Sequence, residues 1–482
     1  MSGMFDDFKE QVRSQANIVE IISEYVPLKK RGGSFWGCCP FHGEKTPSFS
    51  VTPDKNFFYC YGCHVGGDVF TFVMKMENCT FPEALKLLAN KLGIAVPEKE
   101  KTKAELEREK QAKQVIAANE LATRFFQACL TKTDYGIKAQ EYLTGRGITP
   151  EIIERFSIGV ALPNYNALLS ALGKRGCSAG LLVQAGLAVN YDRGPMDKFR
   201  GRVMIPIQDP RGHVVGFGGR ILEQNSQQMA KYMNTGETEW FNKRTLLFGM
   251  NVALKEIKKR RQAVIVEGYM DAISLHAAGI DWAVASMGTA FAQEQAKLLA
   301  RAADEVVFSY DSDAAGQRAT VRAVSIAKET GLKVRVLIVP DGKDPDEFVR
   351  KHGKDAYLRL IETAVSGIEF QMQYVISQNN VSNLAGKVEA VSNILPFLLE
   401  CKNEIEVAQH IKTLAQRLTI DEGLIMSEYR KLSRKNDRGE AVSKWQIQPN
   451  VLSAEDLAEQ LLLYVILKNT DLALVYLSLI HI

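Results

Sequence analysis

Six acids placed at the ends of apolar runs carry the first chemistry this sequence can do. The run AVIVEGYMDAISL sets Glu267 and Asp271 four residues apart, and EVVFSYDSD ends on Asp311 and Asp313. A third run, VRVLIV, leads into PDGKDPD and so to Asp344 and Asp346. Val264, Ile265 and Val266 are β-branched and lack polar alternation, which predicts a strand covered on both faces of a parallel sheet. Glu267 then stands at the strand end, Gly268 allows a tight turn, and Asp271 falls on the first turn of a helix. Ligands of open α/β sheets collect outside the carboxyl ends of the strands, so the acids are expected to converge there. Carboxylates gathered without counter-charge repel one another, and divalent cations relieve that repulsion. The expected occupant is magnesium. The plainer alternative is that each acid caps a helix N-terminus.

A second cluster has metal-ligand spacing. Cys39 and His42 form one C-x2-H knuckle, Cys60 and Cys63 form a C-x2-C knuckle, and 17 residues separate the two. Two knuckles joined by a strand hairpin can close a tetrahedral zinc site, with backbone N–H groups facing the thiolates. Cys38 and His64 adjoin these ligands and are expected to point elsewhere. Between the knuckles Phe49, Val51, Phe57, Phe58 and Tyr59 alternate about a turn at residues 53–56. Their aromatic rings, beside Lys45, Lys55 and Lys75, would either stack on single-stranded bases or fill the small core of a ribbon.

The elements that must position these groups fit a multidomain α/β protein. A length of 482 residues suggests two to four domains. A hydrophobic share of 46% and a charged share of 24% match ordinary globular composition, and a net charge of +4 says little about partners. No apolar run is long enough to span a bilayer, and the N-terminus lacks the pattern of a signal peptide, so no membrane is expected and the cytoplasm is the expected location. Eight cysteines in such a chain do not make a disulfide scaffold. Cys129, Cys177 and Cys401 are expected to be structural. The segment KFRGRVMIPIQDPRGHVVGFGGRIL predicts a hairpin turning at residues 209–212, with Arg200 and Arg202 on one face. Lys255 to Arg261 is expected to be the outer face of a helix. Residues 99–117 read as a solvated helical linker, and helical spacing dominates after Gly353.

The glutamate of VIVEGYMD, the DxD of YDSDAAG and the acids after VRVLIV, in that order with helices between, resemble the toprim fold of primases and topoisomerases. Preceded by CPFHGEKTPSF and FYCYGCHVGGDVFTF, the domain order over about residues 6–353 resembles the DnaG-type bacterial DNA primases. The resemblance implies an N-terminal β-rich zinc ribbon over 1–98, a linker over 99–117 and a mixed α/β basic subdomain over 118–260. It further implies a toprim α/β core with a parallel sheet over 261–352 and a C-terminal helical bundle over 353–432. A linker over 433–450 would then lead to the truncated start of a helicase-binding domain over 451–482.

The implied activity is synthesis of short RNA primers on single-stranded DNA by metal-dependent nucleotidyl transfer. The implied cofactors are one structural Zn²⁺ and two or more catalytic Mg²⁺ or Mn²⁺ ions, with Glu267, Asp311 and Asp313 as chief ligands, helped by Asp271, Asp344 and Asp346. Glu267 could also act as general acid or base. By the same resemblance Arg146, Arg200, Arg202, Arg220, Lys231, Tyr232, Asn234 and Lys243 line a basic ridge that contacts template or nucleotide phosphates. Implied partners are single-stranded DNA, ribonucleoside triphosphates, the RNA–DNA hybrid and the replicative helicase, this last weakened by truncation. A topoisomerase would share the acids but also needs a DNA-gating domain with a nucleophilic tyrosine, and a zinc-ribbon DNA-binding module would not need six strand-end acids.

Overall fold

A computed structural model describes residues 2–77, 80–96, 102–222, 230–288, 290–340, 344–401 and 403–437. The chain divides into two compact units, one of residues 1–312 with 326–364, the other of 313–325 with 365 onward.

In the first unit two helices, Ser2–Gln15 and Ile18–Ser23, precede a five-stranded antiparallel sheet of Lys29–Arg31, Ser34–Gly37, Phe49–Thr52, Phe57–Cys60 and Gly66–Gly67, in sequence order. The register sets Phe49 against Cys60 and Val51 against Phe58. Alternation then decides the fate of the aromatics. Phe49 and Phe58 are fully buried and pack with Phe70 and Phe72 of the helix Val69–Glu77, whereas Phe57 and Tyr61 are 43% and 61% exposed. Phe49 and Phe58 thus fill the ribbon core, as one of the two expectations has it, while Phe57 stays on the open face of the sheet. The sheet tolerates no side chain at residue 37, where a Cβ would lie 2.8 Å from Val26 Cγ1 and 2.9 Å from Pro27 O.

A 30-residue helix, Lys103–Lys132, follows, opened by a capping box of Thr102 and Glu105. Its mixed-charge first turns are exposed, and from Val115 it buries Ala118, Ala122 and Phe126 against a four-stranded antiparallel sheet. That sheet runs in the order Tyr232–Asn234, Val214–Ile221, Arg202–Gln208, Gly159–Ala161. The expected hairpin is present: Asp209 Oδ1 accepts from the N–H groups of Arg211 and His213, and Gly212 takes a φ of +90° to close the turn. Four strands of the next, five-stranded sheet are parallel, in the order Ala283–Ala285, Gln262–Val266, Glu305–Phe308, Lys333–Val336. Its strands Gln262–Val266 and Glu305–Phe308 are buried nearly throughout, as their apolar sequences require. Helices Tyr269–Ala277, Gln293–Ala300 and Pro345–Thr363 belong to this part of the chain.

The second unit is helical. Helices Gly367–Gln378, Leu384–Leu399, Glu404–Leu418 and Glu422–Asp437 join residues 313–325, onto whose Val321 carbonyl and Ser325 hydroxyl the buried Gln371 Nε2 donates at 3.3 and 3.0 Å. The expected linker over 433–450, apart from its first residues, and the segment 451–482 lie outside the described residues.

Candidate zinc centre and active site

The two knuckles bring Cys39, His42, Cys60 and Cys63 together with one donor atom each, all within 4.8 Å of one another. Cys39 Sγ lies 3.8 Å from Cys63 Sγ, and Cys60 Sγ lies 3.7 Å from His42 Nδ1. A zinc ion with Zn–S bonds of about 2.3 Å needs tetrahedral edges of about 3.8 Å, so the donors fit that ion. The N–H of Phe41 faces Cys39 Sγ at 3.4 Å, and those of Gly62 and Cys63 face Cys60 Sγ at 3.3 and 3.4 Å. Burial pushes the Cys39 thiol up to about 12. Burial also opposes ionisation of Cys60, but the Ser48 hydroxyl and the N–H groups of Cys63 and Gly62 outweigh it and bring that thiol to about 7. Cys38 is exposed, and His64, at a φ of +60°, turns its Nδ1 to the Tyr59 hydroxyl at 3.0 Å. Neither joins the cluster.

Glu267, Asp271, Asp311, Asp344 and Asp346 gather near the carboxyl ends of the parallel strands. Glu267 Oε1 accepts from the N–H of Asp311 at 3.2 Å, which ties the ends of two neighbouring strands together. Asp271 Oδ2 reaches back to the N–H of Gly268 at 3.1 Å. Its carboxyl is held well above the usual carboxylate range, first by withdrawal from water and then by the charges of Asp344, Asp311 and Asp346. This convergence across three chain segments is what the sequence pattern predicts. Among the described residues, however, only the zinc-site residues bring three or more donor atoms within 4.8 Å of one another, so the acids stand farther apart than a closed ligand cluster.

Their roles differ. Asp344 caps the helix Pro345–Thr363, its Oδ1 accepting from Glu347 N at 2.7 Å, as the plainer alternative expects, and the contacts of Asp271 with Gly268 N and of Asp313 with Gly316 N are of the same helix-start kind. Asp313 is exposed, opens the second unit, and accepts from Gly316 N at 2.7 Å. Asp346 is 2% exposed and fully engaged: Arg146 donates at 2.7 Å, Ser274 Oγ at 2.6 Å, and Arg350 at 2.9 and 3.3 Å. Ser274 and Arg350 are partners that sequence reasoning missed, although their spacing from Asp271 and Asp346, three and four residues along helices, was a usable signal.

The basic residues divide similarly. Arg220 is 9% exposed, donates to the Tyr232 hydroxyl at 2.7 Å, and lies over the rings of both Tyr142 and Tyr232 at 5.1 and 5.2 Å. Arg146 shares the Tyr142 ring at 5.6 Å. Tyr142, four residues before Arg146, was not anticipated from the sequence; its hydroxyl, those of Tyr269 and the Oδ1 of Asn234 are buried without a hydrogen-bond partner. Lys231 is exposed, and Lys243 is half-buried, as is Lys198, whose ammonium is pulled below its usual range by burial and then by the charge of Lys243. Among the described residues no acid forms an ion pair with Lys198, Arg200, Arg220, Lys231 or Lys243. Positive charge left unneutralised in this way suits phosphate.

Arg202 corrects the expectation. It is 1% exposed, and its guanidinium donates to the carbonyls of Ala230, Gly219 and Lys231 at 2.9, 3.2 and 3.4 Å. The alternation that would place Arg200 beside it fails because Gly201, between them, adopts a φ of +61°. Arg200 instead lies over Tyr165 at 5.0 Å. Arg202 therefore braces the segment Ala230–Lys231 that leads into the strand Tyr232–Asn234, and burial depresses its pKa.

Four family profiles match the chain. One described as a CHC2 zinc finger covers residues 4–104, the N-terminal domain of the DNA primase catalytic core covers 125–254, a Toprim-like profile covers 264–349, and a DnaB-helicase binding domain of primase covers 368–423. The last falls on the expected helical bundle rather than on 451–482. The DNA primase of Clostridium acetobutylicum is 39% identical over 471 residues, 97% of this chain and 78% of that protein. That of Geobacillus stearothermophilus is 35% identical, over 97% of this chain and 79% of the relative. The crystal structure of the zinc-binding and RNA polymerase domains of Aquifex aeolicus primase is similar at 31% identity and a TM-score of 0.54, covering 87% of this chain and 99% of that one. A DnaG primase catalytic domain bound to single-stranded DNA is 34% identical with a TM-score of 0.57, covering 65% of this chain and 99% of that one.

Proposed function

The chain belongs to the DnaG-type DNA primases, enzymes that synthesise RNA primers for replication, and on that premise we propose how its residues divide the work. The metal-binding acids are Glu267, Asp271, Asp311, Asp313 and Asp344. The convergence on Asp271 of charges from three acids in two other segments is the observation that supports the reading most directly. A crowded anionic crevice of oxygen donors suits a divalent metal, Mg²⁺ before Mn²⁺ on the hardness of the ligands. Bound there, such ions lower the pKa of an attacking 3′-hydroxyl and stabilise the charge of the departing pyrophosphate. Glu267 acts as a proton acceptor as well as a ligand. Asp313 follows Asp311 by two residues and is assigned on that spacing.

Asp346, saturated by Arg146, Arg350 and Ser274, orients Arg146 rather than binding metal. Arg220, Lys198, Lys231 and Lys243 contact phosphates of ribonucleoside triphosphates, of single-stranded template or of the RNA–DNA hybrid. Tyr232 and Asn234 line the same surface. Exposed Phe57 and Tyr61 offer the ribbon a face on which bases stack. The partners are single-stranded DNA and the replicative helicase, this last through the matched region 368–423. The site of action we infer is the replication fork in the cytoplasm.

Incubation with single-stranded DNA, Mg²⁺ and ribonucleotides, without a primer, tests the reading. Wild-type protein should yield short RNA, and Asp311→Asn should yield none while still binding the template. Full synthesis by Asp311→Asn across a Mg²⁺ titration would sink the metal-centred reading.

A further inference from the structure

The zinc cluster contains a carboxylate that its ligand spacing does not call for. Glu44 follows His42 by two residues, and its side chain is only 10% exposed. Its Oε1 accepts from the N–H of Cys39 at 2.5 Å and from the N–H of Ser48 at 3.2 Å. Its Oε2 accepts from the Ser48 hydroxyl at 2.5 Å and lies 3.3 Å from His42 Nε2. The Ser48 hydroxyl in turn stands 3.3 Å from Cys60 Sγ. One carboxylate thus touches both ligands of the first knuckle, through a backbone N–H and a ring nitrogen, and reaches the second knuckle through a hydroxyl.

The two nitrogens of His42 are thereby distinguished. Nδ1 is the nitrogen beside Cys60 Sγ, at 3.7 Å, while Nε2 faces Glu44. The Nε2 edge also has no freedom to turn away. A Cβ at Gly62 would lie 2.6 Å from Nε2, 2.8 Å from Cε1 and 3.0 Å from Ser48 Oγ, so the ring edge fits only because residue 62 has no side chain.

We infer that Glu44 is a positioning residue of the zinc centre: it takes the Nε2–H of His42, fixes the imidazole in the tautomer that ligates through Nδ1, and holds the two knuckles in register. A ring nitrogen donated to a carboxylate makes the other nitrogen a better ligand, and outer partners of this kind change metal affinity by roughly 10- to 100-fold. Glutamate meets the demand because both of its oxygens accept. An amide accepts on one side only and must present an NH2 either to His42 or to the N–H of Cys39.

The test uses the full chain loaded with zinc. Competition with a chromogenic chelator should show Glu44→Gln holding zinc about 10- to 100-fold more weakly than wild type, and Ser48→Ala weakened less, with circular dichroism of both zinc-loaded variants unchanged. Gly62→Ala should weaken zinc retention too, by displacing the ring. Nitrogen-15 spectra of histidine-labelled protein should show His42 metal-bound at Nδ1 and protonated at Nε2, and that proton should exchange with water faster in Glu44→Gln. Wild-type zinc affinity in Glu44→Gln, or metal bound at Nε2, would overturn the assignment. Should Glu44→Gln fail to fold, the tautomer read in wild type and the affinity of Ser48→Ala still decide it: metal at Nε2, or unaltered retention in Ser48→Ala, counts against it.

Discussion

Two acids of the same crevice should respond to the same isosteric substitution with opposite signs, and this separates metal ligands from the residues that hold them. Asp346 is 3% exposed at its side chain and accepts from two guanidiniums and a hydroxyl. Asp346→Asn leaves Arg146 and Arg350 facing an amide. Removing one member of a buried ion pair costs about 3–5 kcal/mol, and the partial exposure of the arginines, 20% and 38%, favours the lower end. At roughly 2–4 °C per kcal/mol, a loss of about 3 kcal/mol lowers the melting temperature by roughly 6–12 °C.

Asp271 carries the reverse load. Its folded pKa is raised above the usual carboxylate value by burial and by Asp344, Asp311 and Asp346. A folded state that holds this proton more tightly than the unfolded chain is favoured below the ordinary carboxylate pKa, and loses that advantage as pH rises through the raised folded value. Near neutral pH and without divalent metal, Asp271→Asn should therefore raise the melting temperature, and it should flatten the fall in stability with rising pH. Scanning calorimetry in Mg²⁺-free buffer, with zinc retained, reads both variants. Added Mg²⁺ should stabilise wild type more than Asp271→Asn. Equal destabilisation by the two substitutions, or an Asp346→Asn protein as stable as wild type, would refute the division of roles.

Other outcomes follow from the same geometry. Mg²⁺ binding at a pH below the raised Asp271 value should release protons, because that carboxyl gives up its proton as the acids are neutralised, so calorimetric heats should vary with the ionisation enthalpy of the buffer and the effect should fade as pH rises; heats independent of buffer at every pH would contradict this. Lys231→Ala should weaken single-strand binding alike for all sequences and reduce the salt slope by about 0.7, whereas an unchanged slope places Lys231 outside the template path. Arg202→Ala should instead destabilise the catalytic region by roughly 1.5–3 kcal/mol, since a buried charged donor leaves the carbonyls of Gly219, Ala230 and Lys231; a melting temperature equal to wild type would count against its bracing role. Zinc removal should unfold the ribbon and spare the parallel sheet, which far-ultraviolet dichroism and limited proteolysis can distinguish.

What could be read from the sequence followed from constraints that act along the chain. Zinc demands two ligands per tight turn, so Cys39, His42, Cys60 and Cys63 could be separated from Cys38 and His64 by spacing alone. A strand buried on both faces demands an unbroken β-branched run, so the strand before Glu267 was legible to its last residue. The strand Ala283–Ala285, three residues long and two of them alanine, carried no such signature and is fixed only by its parallel register with Val264–Val266.

The misreading of Arg202 shows where local rules stop. Alternation correctly predicts opposite faces within a strand, but one glycine at positive φ resets it, and no property of the residues alone says which glycine does so. The same limit applies to Asp346, whose partner Arg146 lies 200 residues away. Counting acids at strand ends gives six candidate ligands. Knowing which guanidinium already occupies one of them leaves five, and only packing supplies that knowledge. On the proposed division of roles, charge balance is the level at which this site becomes specific: an acid already paired with arginine orients it, and an acid whose neighbours are other acids is the one assigned to a cation.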